Sequence, residues 1–180
     1  HLERSPPSPG ASFLIDAGAA YAGYASDVTR THAQRPGPFA DLVAALDAEQ
    51  RALASAVRPG LEYCELHLAA SGAVSAFFPH GIGHLLGLQV HDVGGLQAGP
   101  SGGSLPRPEG HPFLRLTRKL GPGFVVTVEP GIYFVDLLLA EAAADDRRPL
   151  VDWEAVERLR PFGGVRIEDD VVALPDGPRN

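Results

Sequence analysis

Residues 77–95 read FFPHGIGHLLGLQVHDVGG, and this stretch governs the reading of everything around it. It holds His80, His84 and His91, with glycines at 81, 83 and 87 between them. His80 and His84 stand four apart, the spacing of the zinc-binding H-E-x-x-H helix. Gly81 occupies the position where that motif needs glutamate, and Gly83 weakens a helix, so a zincin helix is excluded. Glycine lets backbone approach a ligand closely, and three imidazoles flanked by glycine favour a site over core packing. The flanking elements must then deliver further ligands to an irregular segment.

Outward from there, Ser12–Asp16 predicts a buried strand and Tyr24–Thr31 a second one, paired as a β-hairpin. Pro36–Val57 has the clearest helical period, closed by Pro59-Gly60. A second helix is predicted from Leu61 to about Ala76, its pattern fading after Ala70, and Pro100–Pro112 reads as an irregular loop. Gly123–Glu129 predicts a strand stopped by Pro130-Gly131, with Ile132–Leu139 resuming as its hairpin partner. Asp152–Arg160 predicts a short helix with Asp152 as N-cap and Pro161 after its end. Gly164–Leu174 alternates as a strand or strand pair. The fold class is α+β, helices on one face of an antiparallel sheet.

The 180 residues, 44% hydrophobic and 21% charged, describe an ordinary globular chain. A net charge of −7 argues against bulk attraction to nucleic acid or an anionic membrane surface. Cys64, the single cysteine, excludes an internal disulfide and any multi-thiolate metal site, in keeping with a cytoplasmic location. Its place in a helical pattern suits core packing.

Each predicted strand carries a carboxylate that a structural strand would rarely hold. Asp16 follows Phe13-Leu14-Ile15, Glu129 follows Val125–Val128, and Glu168 follows Val165-Arg166-Ile167. Buried carboxylates are costly unless paired or metal-bound. In a hairpin, Asp16 and Asp27 can face one side, and Arg166 and Glu168, two apart, share a strand face. Four carboxylates and an imidazole suit manganese and related divalent ions better than closed structural zinc. They carry enough charge for two ions about 3.5 Å apart.

The segments FLIDAGAAYAGYASDVTRT (13–31), FFPHGIGHLLGLQVHDVGG (77–95), TVEPGIYF (127–134) and PFGGVRIEDDVV (161–172) resemble the bacterial Xaa-Pro dipeptidases (prolidases). These belong to the creatinase and methionine aminopeptidase superfamily. The resemblance implies the pita-bread catalytic fold, a curved antiparallel sheet flanked by helices, over residues 12–180. It implies Asp16, Asp27, His84, Glu129 and Glu168 as ligands of two divalent ions, manganese first, with cobalt or zinc possible. It further implies Glu129 as general base on a metal-bridging hydroxide, His80 and His91 beside the metals, and Arg166 on the carboxylate of a C-terminal proline. The implied substrate is a dipeptide ending in proline, and the implied assembly a homodimer.

On this reading residues 1–11 are a linker from an N-terminal domain, and a segment of the longer relatives is missing near 76–77. Two other activities compete. One is organophosphorus acid anhydrolysis at the same site, since the bacterial branch includes such enzymes. The other is an inactive pita-bread module that binds peptides or proteins; such modules have typically lost ligand residues, and all five are retained here.

Overall fold

The computed structural model describes residues 10–71 and 76–180. Most of the expected linker, residues 1–11, therefore lies outside the described residues, and the expected junction near 76–77 lies beside residues 72–75, also outside them.

Strand β1 (Ser12–Ala17) runs antiparallel to β4 (Val28–Ala33), with Asp16 opposite Thr29. Between them, β2 (Ala20–Tyr21) and β3 (Tyr24–Ala25) form a tight hairpin. The strand expected over Tyr24–Thr31 is thus interrupted at Ser26-Asp27. The reason is local: the Ser26 N–H donates to the Ala19 carbonyl, and the Asp27 N–H donates to the Asp170 side chain instead of a ladder partner.

Helix α1 (Pro38–Ala56) opens with proline in its first turn, where no intrahelical N–H is needed. Helix α2 (Tyr63–Ser71) follows; the rest of the predicted second helix includes residues 72–75. The expected loop 100–112 contains part of a small hairpin, β5 (Gln97–Gly99) with β6 (Gly102–Ser104).

Strand β7 (Val125–Val128) and strand β8 (Gly131–Tyr133) do not pair with each other, contrary to the predicted hairpin. The Glu129 N–H donates to the Ile82 carbonyl and Pro130 has no N–H, so the chain turns away from β7. The strand expected through Leu139 ends at Tyr133, and α3 (Asp136–Ala144) begins instead. Its DLLLAEAAA sequence is built from strong helix formers, and Leu139 and Ala142, three apart, are buried. Helix α4 (Trp153–Leu159) is capped as predicted: Asp152 Oδ1 accepts the Ala155 N–H at 3.0 Å.

Strands β9 (Gly164–Arg166) and β10 (Asp169–Val172) close the chain. β9 pairs antiparallel with β8, and β10 pairs antiparallel with β7. The pairs are short, and single bridges at Thr29–Glu168 and Leu85–Val126 connect them. These two bridges deliver Glu168 next to β4 and the histidine segment next to β7.

The main core joins Leu53 of α1, Val57 just after it, and Tyr63 and Leu66 of α2 to Val126, Val128 and Val171 of β7 and β10. A second cluster sets Phe39 and Leu46 of α1 on Val165 and Ile167, with Phe39 stacked on Phe162 at 4.4 Å. Among the described residues, no helix is long and apolar enough to cross a membrane.

Candidate metal centre

Alternation along β7 sends Val126 and Val128 into the core and leaves Thr127 and Glu129 on the opposite face. Thr127 ties two candidate ligands together. Its Oγ1 accepts the His84 N–H at 3.1 Å and donates to Glu129 Oε1 at 3.3 Å. Its carbonyl accepts from Tyr63 Oη at 2.5 Å and, with the Gly83 backbone beside it, leaves no room for a side chain at 83. A Cβ on Gly83 would collide with both that carbonyl and the Tyr63 hydroxyl. We therefore expect Gly83→Ala to cost about 1–3 kcal/mol of stability in thermal unfolding, and to disturb His84 next to it.

His84 is buried, and its Nδ1 lies 3.0 Å from the Leu85 carbonyl, which fixes the proton on Nδ1. The Nε2 lone pair then faces Asp27 Oδ2 at 3.5 Å and Glu129 Oε1 at 3.6 Å. Burial lowers the His84 pKa to about 4, so the ring has no second proton to offer those oxygens. A lone pair turned toward two carboxylates is repulsive unless a cation sits between them. Donor atoms of Asp27, His84 and Glu168 all lie within 4.8 Å of one another.

The carboxylates show the same deficit of positive charge. Burial, then the neighbouring Glu168, push Glu129 up to about 8. Burial, opposed by the Thr29 hydrogen bond and reinforced by Asp27, pushes Glu168 up to about 7. Burial and the adjacent Asp16 raise Asp27. Glu168 Oε2 accepts from Thr29 Oγ1 at 2.6 Å. This donor set of oxygens and one imidazole nitrogen fits a hard or borderline divalent cation.

Asp27, His84 and Glu168 come together, while Asp16 and Arg166 meet each other beside them. Arg166 and Glu168 do share a face, Nε to Oε2 being 3.6 Å. The Arg166 guanidinium, however, is engaged inside the centre. It donates to Thr29 Oγ1 and to Tyr133 Oη, each at 3.2 Å, and pairs with the Asp16 carboxylate. Asp16 is half exposed and meets Arg166 rather than joining the Asp27–His84–Glu168 group. His80 donates from Nδ1 to the Gly81 carbonyl at 2.7 Å, which leaves Nε2 to accept from Tyr133 Oη at 3.1 Å. His91 packs edge-on against His84, ring centroids 4.4 Å apart.

A cavity of about 680 Å³ opens over Glu129, His80, His91, Tyr133 and Arg166. Pro79, Pro112 and Phe113 form an apolar part of its wall, and Arg107 and Arg115 a basic part. Thr29, Thr127, Tyr133 and Arg115 escaped the sequence reading. The first two had a legible signal, since each lies two residues along a strand from a candidate ligand.

The pattern of metallopeptidase family M24 matches residues 3–174. The chain is 48% identical over 203 residues to a Xaa-Pro dipeptidase of Xanthomonas oryzae pv. oryzae, covering 99% of this chain and 46% of that protein. It is 50% identical over 195 residues to a Xaa-Pro dipeptidase of Stenotrophomonas maltophilia, covering 95% and 44%. The chain thus spans about half the length of the curated relatives it matches. Among solved structures it resembles a prolidase from Pyrococcus furiosus, with a TM-score of 0.59, 26% identity and coverage of 93% and 40%. It also resembles a His350Ala variant of Escherichia coli aminopeptidase P, with a TM-score of 0.65, 30% identity and coverage of 94% and 37%. The α+β elements around the centre are those of the pita-bread fold, and the chain belongs to metallopeptidase family M24.

Proposed function

We propose that this chain is the catalytic domain of a dinuclear-metal hydrolase that cleaves dipeptides ending in proline. The observation that carries the reading is the His84 Nε2 lone pair turned toward the Asp27 and Glu129 carboxylates, with Glu168 completing the group. Asp16, Asp27, His84, Glu129 and Glu168 are the residues that would hold two divalent ions. When bound, such ions polarise a scissile carbonyl and lower the pKa of a water. Manganese is the first choice among them.

The chain's own residues supply the rest. Glu129, held by the Thr127 hydroxyl beside His84, would take the proton of the attacking water and return it to the leaving amine. His80 is fixed with its proton on Nδ1, and a Tyr133 proton lies against Nε2, so the pair can pass a proton at the cavity wall. Pro79, Pro112 and Phe113 offer apolar contact to a proline ring.

Arg115 and Arg166 both line the cavity and take different roles, with the substrate carboxylate falling to Arg115. Arg166 is held by Asp16, Tyr133 and Thr29, and so acts first on the ligand shell. Arg115 is exposed in the cavity, and no carboxylate among the described residues lies within 4.0 Å of it. We expect Arg115→Ala to raise KM by about 10- to 100-fold, the loss of a charged hydrogen bond, with metal content unchanged. Arg166→Ala is expected to lower metal content as well. Elemental analysis beside dipeptide kinetics checks both, and normal metal content in the Arg166 variant would return that residue to the substrate role.

Metal analysis of the purified protein with hydrolysis of Ala-Pro and Ala-Ala tests the whole reading. Two ions per chain and cleavage of Ala-Pro alone are the expected results; absence of bound metal would sink it. The match to the Xanthomonas relative runs over 203 residues against 180 here, which supports a segment of that protein without a counterpart in this chain; its place near 76–77 is part of the proposal. A homodimer and a cytoplasmic setting belong to the same proposal.

A further inference from the structure

Asp27 is the ligand candidate with the least regular backbone around it. It lies between β3 and β4, where the chain leaves one hairpin and enters another strand. The N–H groups before it are held from outside: Ala25 donates to the Gly87 carbonyl and Ser26 to the Ala19 carbonyl, each at 2.8 Å. The Asp27 N–H itself goes to a side chain. It donates to the Asp170 carboxylate, 3.1 Å from Oδ2 and 3.3 Å from Oδ1, across 143 residues of sequence.

Asp170 lies on β10 opposite Thr127 of β7, two residues past Glu168. Its neighbour Asp169 faces elsewhere, as alternation requires, and meets Arg30 Nη2 at 2.5 Å. Arg30 also donates from Nη1 to the Glu168 carbonyl at 2.7 Å. Adjacent aspartates on β10 therefore have different partners. Asp169 fastens the outer side of the β4–Glu168 junction, whereas Asp170 reaches the loop that carries Asp27. Asp170 does not belong to the Asp27–His84–Glu168 donor group.

We propose that Asp170 is a positioning residue: by accepting the Asp27 N–H it sets where the Asp27 carboxylate stands in the metal centre. The inference rests on the reading of Asp27 as a metal ligand. A ligand on a loop holds its carboxylate only as well as its backbone is held, and productive geometry tolerates displacements of about 0.5 Å. Removing the acceptor orphans a part-buried N–H and frees the loop between Ser26 and Val28. The function assigned to Asp170 is hydrogen-bond acceptance, which asparagine keeps and alanine lacks.

Manganese titration of the wild-type protein and of the Asp170→Ala and Asp170→Asn variants tests this, with metal-free melting curves run alongside. Asp170→Ala is expected to bind Mn2+ about 10- to 100-fold more weakly, as loss of outer-shell support does elsewhere. Asp170→Asn is expected to bind close to wild type. Wild-type affinity in the alanine variant would overturn the proposal. So would an asparagine variant as weak as alanine, which would put the effect in charge rather than in the accepted hydrogen bond. If the alanine variant does not fold, Asp170→Leu, close to aspartate in volume and without an acceptor, takes its place with the same weakening expected, and wild-type affinity there overturns the proposal. A wild-type protein that binds no Mn2+ would defeat the metal-centre reading itself, an outcome separate from either.

Discussion

Replacing Glu129 by glutamine is expected to lower kcat for a Xaa-Pro dipeptide by about 10²- to 10⁴-fold, the contribution of a positioned general base. Glutamine keeps the shape and keeps an oxygen that can accept from Thr127 Oγ1, which now donates to Glu129 Oε1 at 3.3 Å. It cannot take up a proton. It also presents a neutral group 3.6 Å from His84 Nε2, where the wild-type carboxylate would complete a metal site. The loss should therefore persist at saturating Mn2+, which separates proton transfer from metal occupancy. Turnover near wild type in the metal-loaded variant would remove Glu129 from the chemistry.

Metal binding is expected to carry the other large effect, on stability and its dependence on pH. A divalent ion at about a thousand times its Kd adds roughly 4.1 kcal/mol, or about 8–16 °C in melting temperature for a chain of this size. The pH dependence follows from protons that must leave. In the metal-free fold Glu129 titrates at about 8 and Glu168 at about 7, both above the ordinary 4.5. At these two carboxyls the folded state thus holds more protons than the unfolded chain between about 4.5 and 8, and their share of metal-free stability falls as pH rises through that window.

His67, His80 and His84 work in the opposite sense, each lowered by burial from 6.5 to about 4. The unfolded chain binds their protons first, so this share of stability is present above pH 6.5 and lost as pH falls toward 4. Above 6.5 only the glutamates remain active in the balance. Melting temperatures of metal-free and Mn2+-loaded protein should then diverge from pH 6.5 to 8. The Mn2+ affinity should climb over the same interval and level off above about 8, as both carboxyls become charged. A flat affinity across this range would mean that neither glutamate gives up a proton to the metal.

Local order was legible where local chemistry decides it. The α1 helix, its proline start and the Asp152 cap follow from residue type and period alone. So does the antiparallel β1–β4 pairing, with the carboxylates of Asp16 and Asp27 brought near each other. The β7–β8 hairpin was misread because Pro130-Gly131 looks like a turn, while the partner of β7 lies some forty residues on, at Asp169–Val172. The Ile132–Leu139 strand was misread because a continuous apolar run does not distinguish strand from helix.

By itself, the sequence offered the donor atoms that could hold a cation and the order in which the chain presents them. Asp16, Asp27, His84, Glu129 and Glu168 stand at the ends of strands or in a glycine-rich segment, where a structural role is costly. Tertiary structure alone decided how those atoms are held. It set the His84 proton on Nδ1, drew Arg166 onto Asp16, left Arg115 exposed in the cavity, and gave Thr29, Thr127 and Asp170 their partners. The physical reason is range. Donor type is a property of one residue, whereas a proton's position, an arginine's partner and a loop's anchor depend on groups that folding brings together, such as Asp27 and Asp170 across 143 residues.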